Sequence, residues 1–156
     1  MKIIDVLVLA CDFSRGFNAP GASRLNLALH DLLSTGRRPI VVLGPEGGDV
    51  LESCDAVERC ELTSDFDYDG SWFSSVKAGL MAARGPAIAV HWSSLAIEHP
   101  SFHELENAAA GRHELDAVAL AGRSAWAITL AGAKRLKALP LRTPWPGGAA
   151  LRLERV

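Results

Sequence analysis

The sequence predicts an α/β protein with three layers (α/β/α), in which helices cover both faces of a mostly parallel β-sheet. Apolar runs rich in Val, Ile and Leu recur along the 156 residues and are typical of strands that are buried on both faces. Segments with apolar residues at helical spacing separate these runs. This alternation favours βαβ crossovers, and the length favours a single domain over residues 1–156.

The first half of the chain contains two strong strands with a helix between them. The strands are predicted at 3–10 (IIDVLVLA) and 39–44 (PIVVLG). The intervening SRLNLALHDLLSTG predicts a helix that Ser23 caps at its start and that Gly36 ends. Downstream, GGDVLESC predicts a short helix, and AVERCEL predicts a weaker strand at an edge of the sheet.

The second half of the chain continues the alternation. Apolar residues over 72–83 predict a helix, and PAIAVHW (86–92) predicts a strand of small residues. SFHELENAAA predicts a helix whose first turn carries a capping box made of Ser101 and Glu104. The last segments are predicted to be a hairpin, a short basic helix and an edge strand, in the order LDAVALAG, SAWAITLA, GAKRLKAL and ALRLERV.

Composition and charge narrow the choice of partner. The formal net charge is −2 and no basic stripe is visible, which argues against a nucleic acid. No apolar run approaches the ~20 residues that a membrane span requires, and Asp5 interrupts the N-terminal run, which is too short for a secretory signal. Three cysteines without a C-x-x-C pair fit a reducing compartment. We expect a cytoplasmic protein that binds a small soluble ligand.

Three loops that follow predicted strands are candidate site segments: 11–22, 62–75 and 91–100. In open α/β sheets, ligands bind beyond the carboxyl ends of the strands, near the point where the strand order reverses. The first loop contains neither G-x-G-x-x-G nor G-x-x-x-x-G-K-[ST], so a phosphate cradle and a plain surface loop both remain open. No G-x-S-x-G motif occurs either, which argues against a serine hydrolase.

The second and third loops carry polar residues that either bind a ligand or have only a structural role. Ser71, Ser74 and Ser75 lie at or inside a helix N-terminus, where one of them suffices as the N-cap. Gly79 lies inside the same helix, where Gly costs about 1 kcal/mol relative to Ala, and this indicates a close approach by a backbone or a ligand. His91, at the end of a strand, is either a ligand contact or a partly buried structural histidine.

Five stretches of the chain follow the motif order of a known family. They are a first strand ending in VLA, a Ser-Arg in the next loop, IVVLG, GSWFSSVKAGLMAA, and a strand before PSFHEL. Over roughly residues 3–110 the chain resembles the MobA-like nucleotidyltransferases, the guanylyl- and cytidylyltransferases of molybdenum-cofactor synthesis. The best single match is SSVKAGL, against a family pattern of the type S-S-L-x-x-G-L.

The resemblance implies a fold, an activity and a cofactor. The fold is the Rossmann-like nucleotidyltransferase fold, which is that of the nucleotide-diphospho-sugar transferases. The activity is transfer of a nucleotide monophosphate from an NTP to a phosphorylated acceptor such as molybdopterin, with Mg²⁺ as the cofactor of an active enzyme. The implied nucleotide-binding residues are Ala10, Cys11, Asp12, Ser14, Arg15, Ser74, Ser75 and Gly79. Arg15 is the candidate catalytic residue, and Arg24 is a further candidate for holding phosphate.

The chain also departs from the family pattern L-A-x-G-x-S-x-R-x-G-x-x-K. Asp12 replaces a Gly, Arg15 lies one place early, and no Lys follows. His91 or Ser93 stands where the family has the Asp that binds Mg²⁺, so no metal ligand is predicted. Because phosphoryl transfer depends on neutralisation by metal and cations, two functions remain open. One is the transferase, and the other is a degenerate member that binds a nucleotide or phosphorylated cofactor, or assists assembly, without transfer.

Overall fold

A computed structural model of the chain describes residues 2–14, 19–140 and 152–156. The described strands are β1 (Asp5–Ala10), β2 (Arg38–Leu43), β3 (Glu61–Ser64), β4 (Ala87–His91), β5 (Ala117–Ala119), β6 (Trp126–Ile128) and β7 (Leu153–Arg155). The α-helices are α1 (Ala19–Ser34), α2 (Gly47–Ser53), α3 (Trp72–Ala82), α4 (Leu95–Glu98), α5 (Phe102–Ala109) and α6 (Leu130–Ala138). Short 3₁₀ turns occupy Asp55–Arg59, Trp92–Ser94 and His99–Ser101.

The described strands form a seven-stranded sheet in the order β3-β2-β1-β4-β6-β5-β7. The pairings β1–β2, β1–β4, β2–β3 and β5–β7 are parallel, whereas β6 runs antiparallel to both β4 and β5. The chain moves outward from β1 to β2 and β3, and then returns to place β4 on the other side of β1. The strand order therefore reverses between β1 and β4, which is where sheets of this type bind ligands.

Helices cover both faces of the sheet, so the molecule has the predicted three-layer α/β/α, Rossmann-like fold. Every residue of β1 is buried, as its continuous apolar run indicates. Val6 and Val8 belong to the core that also contains apolar residues of α1, α4 and α5. Leu7 and Leu9 point to the opposite face and join the core formed with α3 and α6. Residues of one strand thus alternate between two cores.

Two predicted N-terminal caps are absent, and each absence has a physical reason. Helix α1 begins at Ala19, so Ser23 lies inside the helix and is not its N-cap. Pro20 is compatible with a first helical turn, since the backbone N–H groups of that turn have no partner within the helix and Pro lacks this group. The capping box at Ser101 is also wrong, because this side chain makes no capping hydrogen bond. The preceding turns are already helical, and the backbone N–H of Phe102 donates to His99 instead.

Most of the remaining elements lie where they were predicted, with shifted bounds. Helix α1 ends before Gly36, whose φ of +79° is the left-handed conformation typical of a helix stop. In AVERCEL, only the end joins the sheet: Asp55–Arg59 is a 3₁₀ turn, and β3 starts at Glu61. Strands β5 and β6 form the expected antiparallel hairpin. Strand β7 lies at the edge of the sheet beside β5, and the Pro/Gly-rich segment 141–151 lies outside the described residues.

Candidate functional site

A cleft lies at the reversal point of the sheet, beyond the carboxyl ends of β1 and β4. The pairing of these strands places Leu9 beside His91, so the loops that follow them are neighbours. The three loops that the sequence singles out meet at this cleft. It encloses about 40 Å³ and is lined by Leu9, Cys11, Asp12, Tyr68, Gly70, Ser71, Trp72, Ser75 and His91.

The carboxylate of Asp12 connects the loop after β1 to the end of β4. The Nε2–H of His91 donates to both of its oxygens, at 2.8 and 2.9 Å. The indole Nε1–H of Trp92 donates to the same Oδ1 at 2.9 Å. The Asp12 side chain is 48 % exposed and that of His91 is 17 % exposed, so the pair lies at the boundary between protein and solvent. Asp12 is therefore already engaged by two N–H donors.

The second nitrogen of His91 faces Ser93. The backbone N–H of Ser93 donates to Nδ1 at 3.3 Å, and the Oγ of Ser93 lies 2.7 Å from Nδ1. Because a backbone N–H can only donate, Nδ1 accepts, and the ring proton is on Nε2, facing Asp12. His91 is thus held in one tautomer by groups on both sides of its ring.

Aromatic side chains form the wall of the cleft. The rings of Trp72 and His91 are stacked, with centroids 5.8 Å apart and planes 12° apart. Tyr68 is half-buried, and burial together with the nearby charge of Asp12 raises the pKa of its hydroxyl. The Tyr68 hydroxyl therefore stays protonated at neutral pH. Trp72 also lies in this wall.

The serine run at the start of α3 is explained by a buried carboxylate. Asp65, in the loop after β3, is 7 % exposed. Its Oδ2 accepts hydrogen bonds from Ser74 at 2.7 Å and from Ser75 at 3.1 Å. Its Oδ1 accepts from the backbone N–H of Asp67 at 3.0 Å. Ser71 occupies the N-cap position but makes no side-chain capping bond. The two serines inside the helix bond to the carboxylate in the preceding loop and do not cap the helix.

Cys11 lies beneath the cleft and joins the same network. Its side chain is buried, and the Oγ of Ser75 lies 3.1 Å from its sulfur. Burial raises the pKa of Cys11 to about 11, although the contact with Ser75 lowers it in part. The thiol is therefore protonated at neutral pH and is not an activated nucleophile.

The other implied nucleotide-binding residues are spread over different environments. Ala10 is buried in the sheet, and Ser14 is half-buried and has a polar partner. Arg15 lies outside the described residues and stays a prediction, and Arg24 is exposed on α1. A Cβ at Gly79 would lie 3.1 Å from side-chain carbons of β1 and β2, so Gly79 lies at the contact between helix and sheet. The close approach that Gly79 indicated is to the sheet.

Sequence reasoning missed three residues of the site. Trp92 carries one of the two donors to Asp12, Tyr68 lines the cleft, and Asp65 accepts the serine hydrogen bonds at the start of α3. Trp92 could have been predicted as a site residue, because it directly follows His91 at the end of a strand. No local spacing connects Asp65 with serines that follow it by 9 and 10 residues, since that contact depends on the loop conformation.

The described residues do not fit Mg²⁺ bound in the manner of the family. Mg²⁺ prefers carboxylate oxygens and water in octahedral geometry. The family position for its Asp ligand holds an imidazole and a hydroxyl that are directed at each other, and the nearby carboxylate of Asp12 faces N–H donors. Within the described ranges, no group of three or more His, Cys, Asp or Glu side chains is arranged to hold a metal ion.

Comparison with known proteins shows the fold. The crystal structure of Rv0371c from Mycobacterium tuberculosis H37Rv is similar, with a TM-score of 0.67 and 14 % sequence identity over 100 % of this chain and 89 % of that chain. At this identity, the likeness establishes a shared architecture. No family model matches the chain, and no curated protein matches it. Among the described helices, none has the length and apolar character needed to cross a membrane.

Proposed function

We propose that this chain is a degenerate relative of the MobA-like nucleotidyltransferases that binds a nucleotide-type ligand through its planar ring without transferring a nucleotidyl group. The observation that carries this proposal is the environment of Asp12. Its carboxylate stands where the family motif has a Gly, and it is held there by His91 and Trp92.

The charges of the cleft support binding without transfer. Asp12 is half-exposed at the position where the family cradles phosphates, and a carboxylate close to a triphosphate repels it. None of the described residues that line the cleft is a Lys or an Arg, so the wall supplies no cation to neutralise phosphate. Nucleotidyl transfer relies on that neutralisation. Arg15 remains the candidate cation of the first loop.

The size and the lining of the cleft support recognition of a ring rather than of a whole nucleotide. Its volume of about 40 Å³ is far below the roughly 300–1,000 Å³ of typical ligand pockets. Its half-buried aromatic residues, Tyr68 and Trp72, offer apolar surface to a planar group. A base or a pterin ring would contact these side chains while the phosphates extend into solvent.

Calorimetric titration tests the proposal. Cytidine, guanosine, CTP and GTP are titrated with and without Mg²⁺, and pyrophosphate release is measured in parallel with a phosphorylated acceptor. We expect a nucleoside to bind more tightly than its triphosphate, with no strengthening by Mg²⁺ and no pyrophosphate. Micromolar, Mg²⁺-dependent NTP binding with pyrophosphate release would establish the transferase instead. Absence of binding by all four compounds would refute a nucleotide-binding role.

The charge of Asp12 is tested by Asp12→Asn, which keeps an oxygen that accepts hydrogen bonds. We expect the affinity for CTP and GTP to increase about tenfold, because a partly solvated like charge contributes roughly 1–2 kcal/mol at short range. The affinity for the nucleosides should not change. Asp31→Asn, an exposed change on α1 with the same effect on net charge, is the control. Equal effects of the two variants would mean that Asp12 does not face the phosphates.

A further inference from the structure

A carboxylate, an imidazole and a hydroxyl follow one another at the rim of the cleft. Asp12 accepts from Nε2 of His91 at 2.8 Å, and Nδ1 of His91 lies 2.7 Å from the Oγ of Ser93. Catalytic triads consist of this sequence of groups and are recognised by geometry and roles, not by order in the chain. Ser93 lies two residues beyond the end of β4. It is not part of a G-x-S-x-G turn, so no sequence motif marks it as a nucleophile.

The protonation pattern suits deprotonation of Ser93. The backbone N–H of Ser93 requires Nδ1 to be an acceptor, which places the ring proton on Nε2, toward the carboxylate. The Ser93 hydroxyl therefore donates to Nδ1. The carboxylate of Asp12 stabilises the imidazolium that forms when Nδ1 takes this proton, as the orienting carboxylate does in a triad.

The surroundings hold the three groups in place and leave the hydroxyl accessible. Trp92 donates to Asp12, and Trp72 stacks on the ring of His91, so both groups have restricted orientations. Nε2 of His91 bonds to Asp12, and Nδ1 faces the hydroxyl of Ser93. Ser93 itself is exposed to solvent, which a nucleophile requires.

We infer that Ser93 is a nucleophile activated by His91 and positioned by Asp12, for acyl transfer from uncharged carboxylic esters. This activity goes beyond the ligand binding proposed above and does not depend on it. The carboxylate of Asp12, on the other side of the imidazole from the hydroxyl, disfavours anionic substrates, and the aromatic side chains of the neighbouring cleft favour an apolar acyl group.

The reaction proceeds in two balanced steps. The Oγ of Ser93 forms a bond to the acyl carbon while its proton passes to Nδ1 of His91, and the bond to the alcohol breaks as the alcohol takes that proton. Water then attacks the acyl-serine. Its proton moves through Nδ1 to the Oγ of Ser93, which releases the carboxylic acid.

A fluorophosphonate probe tests the inference on the intact chain. The Oγ–P bond forms, fluoride leaves, and mass spectrometry locates the adduct. We expect labelling at Ser93, its loss in Ser93→Ala, and a decrease of about 100-fold or more in His91→Gln, in line with general-base catalysis. Ser94→Ala is the matched control, since it changes the adjacent hydroxyl and should label normally. Labelling at another residue, or none at all, would overturn the inference.

Two further measurements separate activation from local structure. Ser93→Ala keeps the backbone N–H that donates to His91, so its melting temperature should equal that of the parent chain while hydrolysis of a p-nitrophenyl ester is lost. Asp12→Asn should slow labelling and, in ¹⁵N NMR, alter the Nε2–H tautomer signature of His91. An unchanged tautomer signature and an unchanged labelling rate in Asp12→Asn would show that Asp12 does not position the imidazole.

Discussion

At the scale of single residues, Asp65 is the side chain on which the loop beside the cleft depends. Its carboxylate lies at the N-terminal end of α3, where the helix dipole favours negative charge. It receives hydroxyl hydrogen bonds from Ser74 and Ser75 and a backbone N–H from Asp67. A buried carboxylate with several donors is stable, whereas the same donors without an acceptor are costly. Asp65 therefore connects the loop that carries Tyr68 to α3.

Asp65→Asn tests this role. The amide presents one oxygen and one NH₂ group. Either the two serine hydroxyls, which share one oxygen of Asp65, or the backbone N–H of Asp67 therefore face the NH₂ group and lose their acceptor. We expect the free energy of unfolding to fall by about 1–3 kcal/mol, measured by urea denaturation. Asp67→Asn, which changes an exposed side chain two residues away, should have an effect within about 0.5 kcal/mol. A loss of similar size in both variants would argue against the buried network.

At the scale of elements, the position of the first site loop depends on the end of β2. Gly44 follows β2 and packs directly against the backbone of Cys11, so that a Cβ at Gly44 would lie 2.8 Å from the Cα of Cys11. Backbone atoms at such a distance have to move. Because Asp12 comes next in the chain, this contact sets the distance from its carboxylate to His91.

Gly44→Ala should therefore disturb the site as well as the fold. We expect a loss of about 1–3 kcal/mol in unfolding free energy, as for other overpacked positions, and a changed ¹⁵N signal of the His91 ring. Gly48→Ala is the control, because a Cβ there meets no atom within 4 Å and the residue lies in α2, where Ala is favoured. An unperturbed His91 signal in Gly44→Ala would show that the loop tolerates the added methyl group.

At the scale of the whole molecule, a buried ion pair connects the start of the chain to α5. Arg37 donates to Glu106 at 2.8 and 3.2 Å and to the carbonyl of Ile3 at 2.6 Å, and the backbone N–H of Ile3 donates to Glu106. Both charged side chains are almost completely buried. Burial raises the pKa of Glu106, but the hydrogen bonds from Arg37 and Ile3 outweigh it, so the pKa is lower than usual.

The lowered pKa of Glu106 predicts acid sensitivity with a definite sign. The stabilisation is present above the usual pKa of Glu, roughly 4.3, and is lost as the pH falls through the lower value of the folded state. At pH 7, Glu106→Gln should lower the unfolding free energy by about 3–5 kcal/mol, since Arg37 then stays buried without a counter-charge. The difference from the parent chain should shrink as the pH falls below the usual pKa of Glu, because the stabilisation is then lost progressively as Glu106 is protonated at its lower folded-state pKa.

Urea denaturation from pH 3 to 8 measures both effects. Glu104→Gln, an exposed change on the same helix, serves as the control and should leave the curve nearly unchanged. A difference between Glu106→Gln and the parent that is constant over this pH range would contradict the role of the charged form.

The elements of the fold were predictable from local pattern. Continuous apolar runs identified β1 and β2, because a strand buried on both faces requires apolar residues at successive positions. Helical spacing identified α3, because a helix buried on one side requires apolar residues every three or four positions. The wrongly predicted helix caps lie where the conformation of the adjacent chain segments determines how a helix begins. Ser101 resembles an N-cap in isolation, but the chain before it is already helical.

The sequence by itself determined the three-layer class, the loops that follow β1, β3 and β4, and the differences at Asp12 and His91 from the nucleotidyltransferase pattern that it resembles. Only the tertiary structure decided what those residues contact. Asp12 and His91 are 79 positions apart and meet because β1 and β4 pair in parallel with Leu9 beside His91. Hydrogen bonds across such separations depend on strand register and loop conformation, and no spacing along the chain encodes either of them.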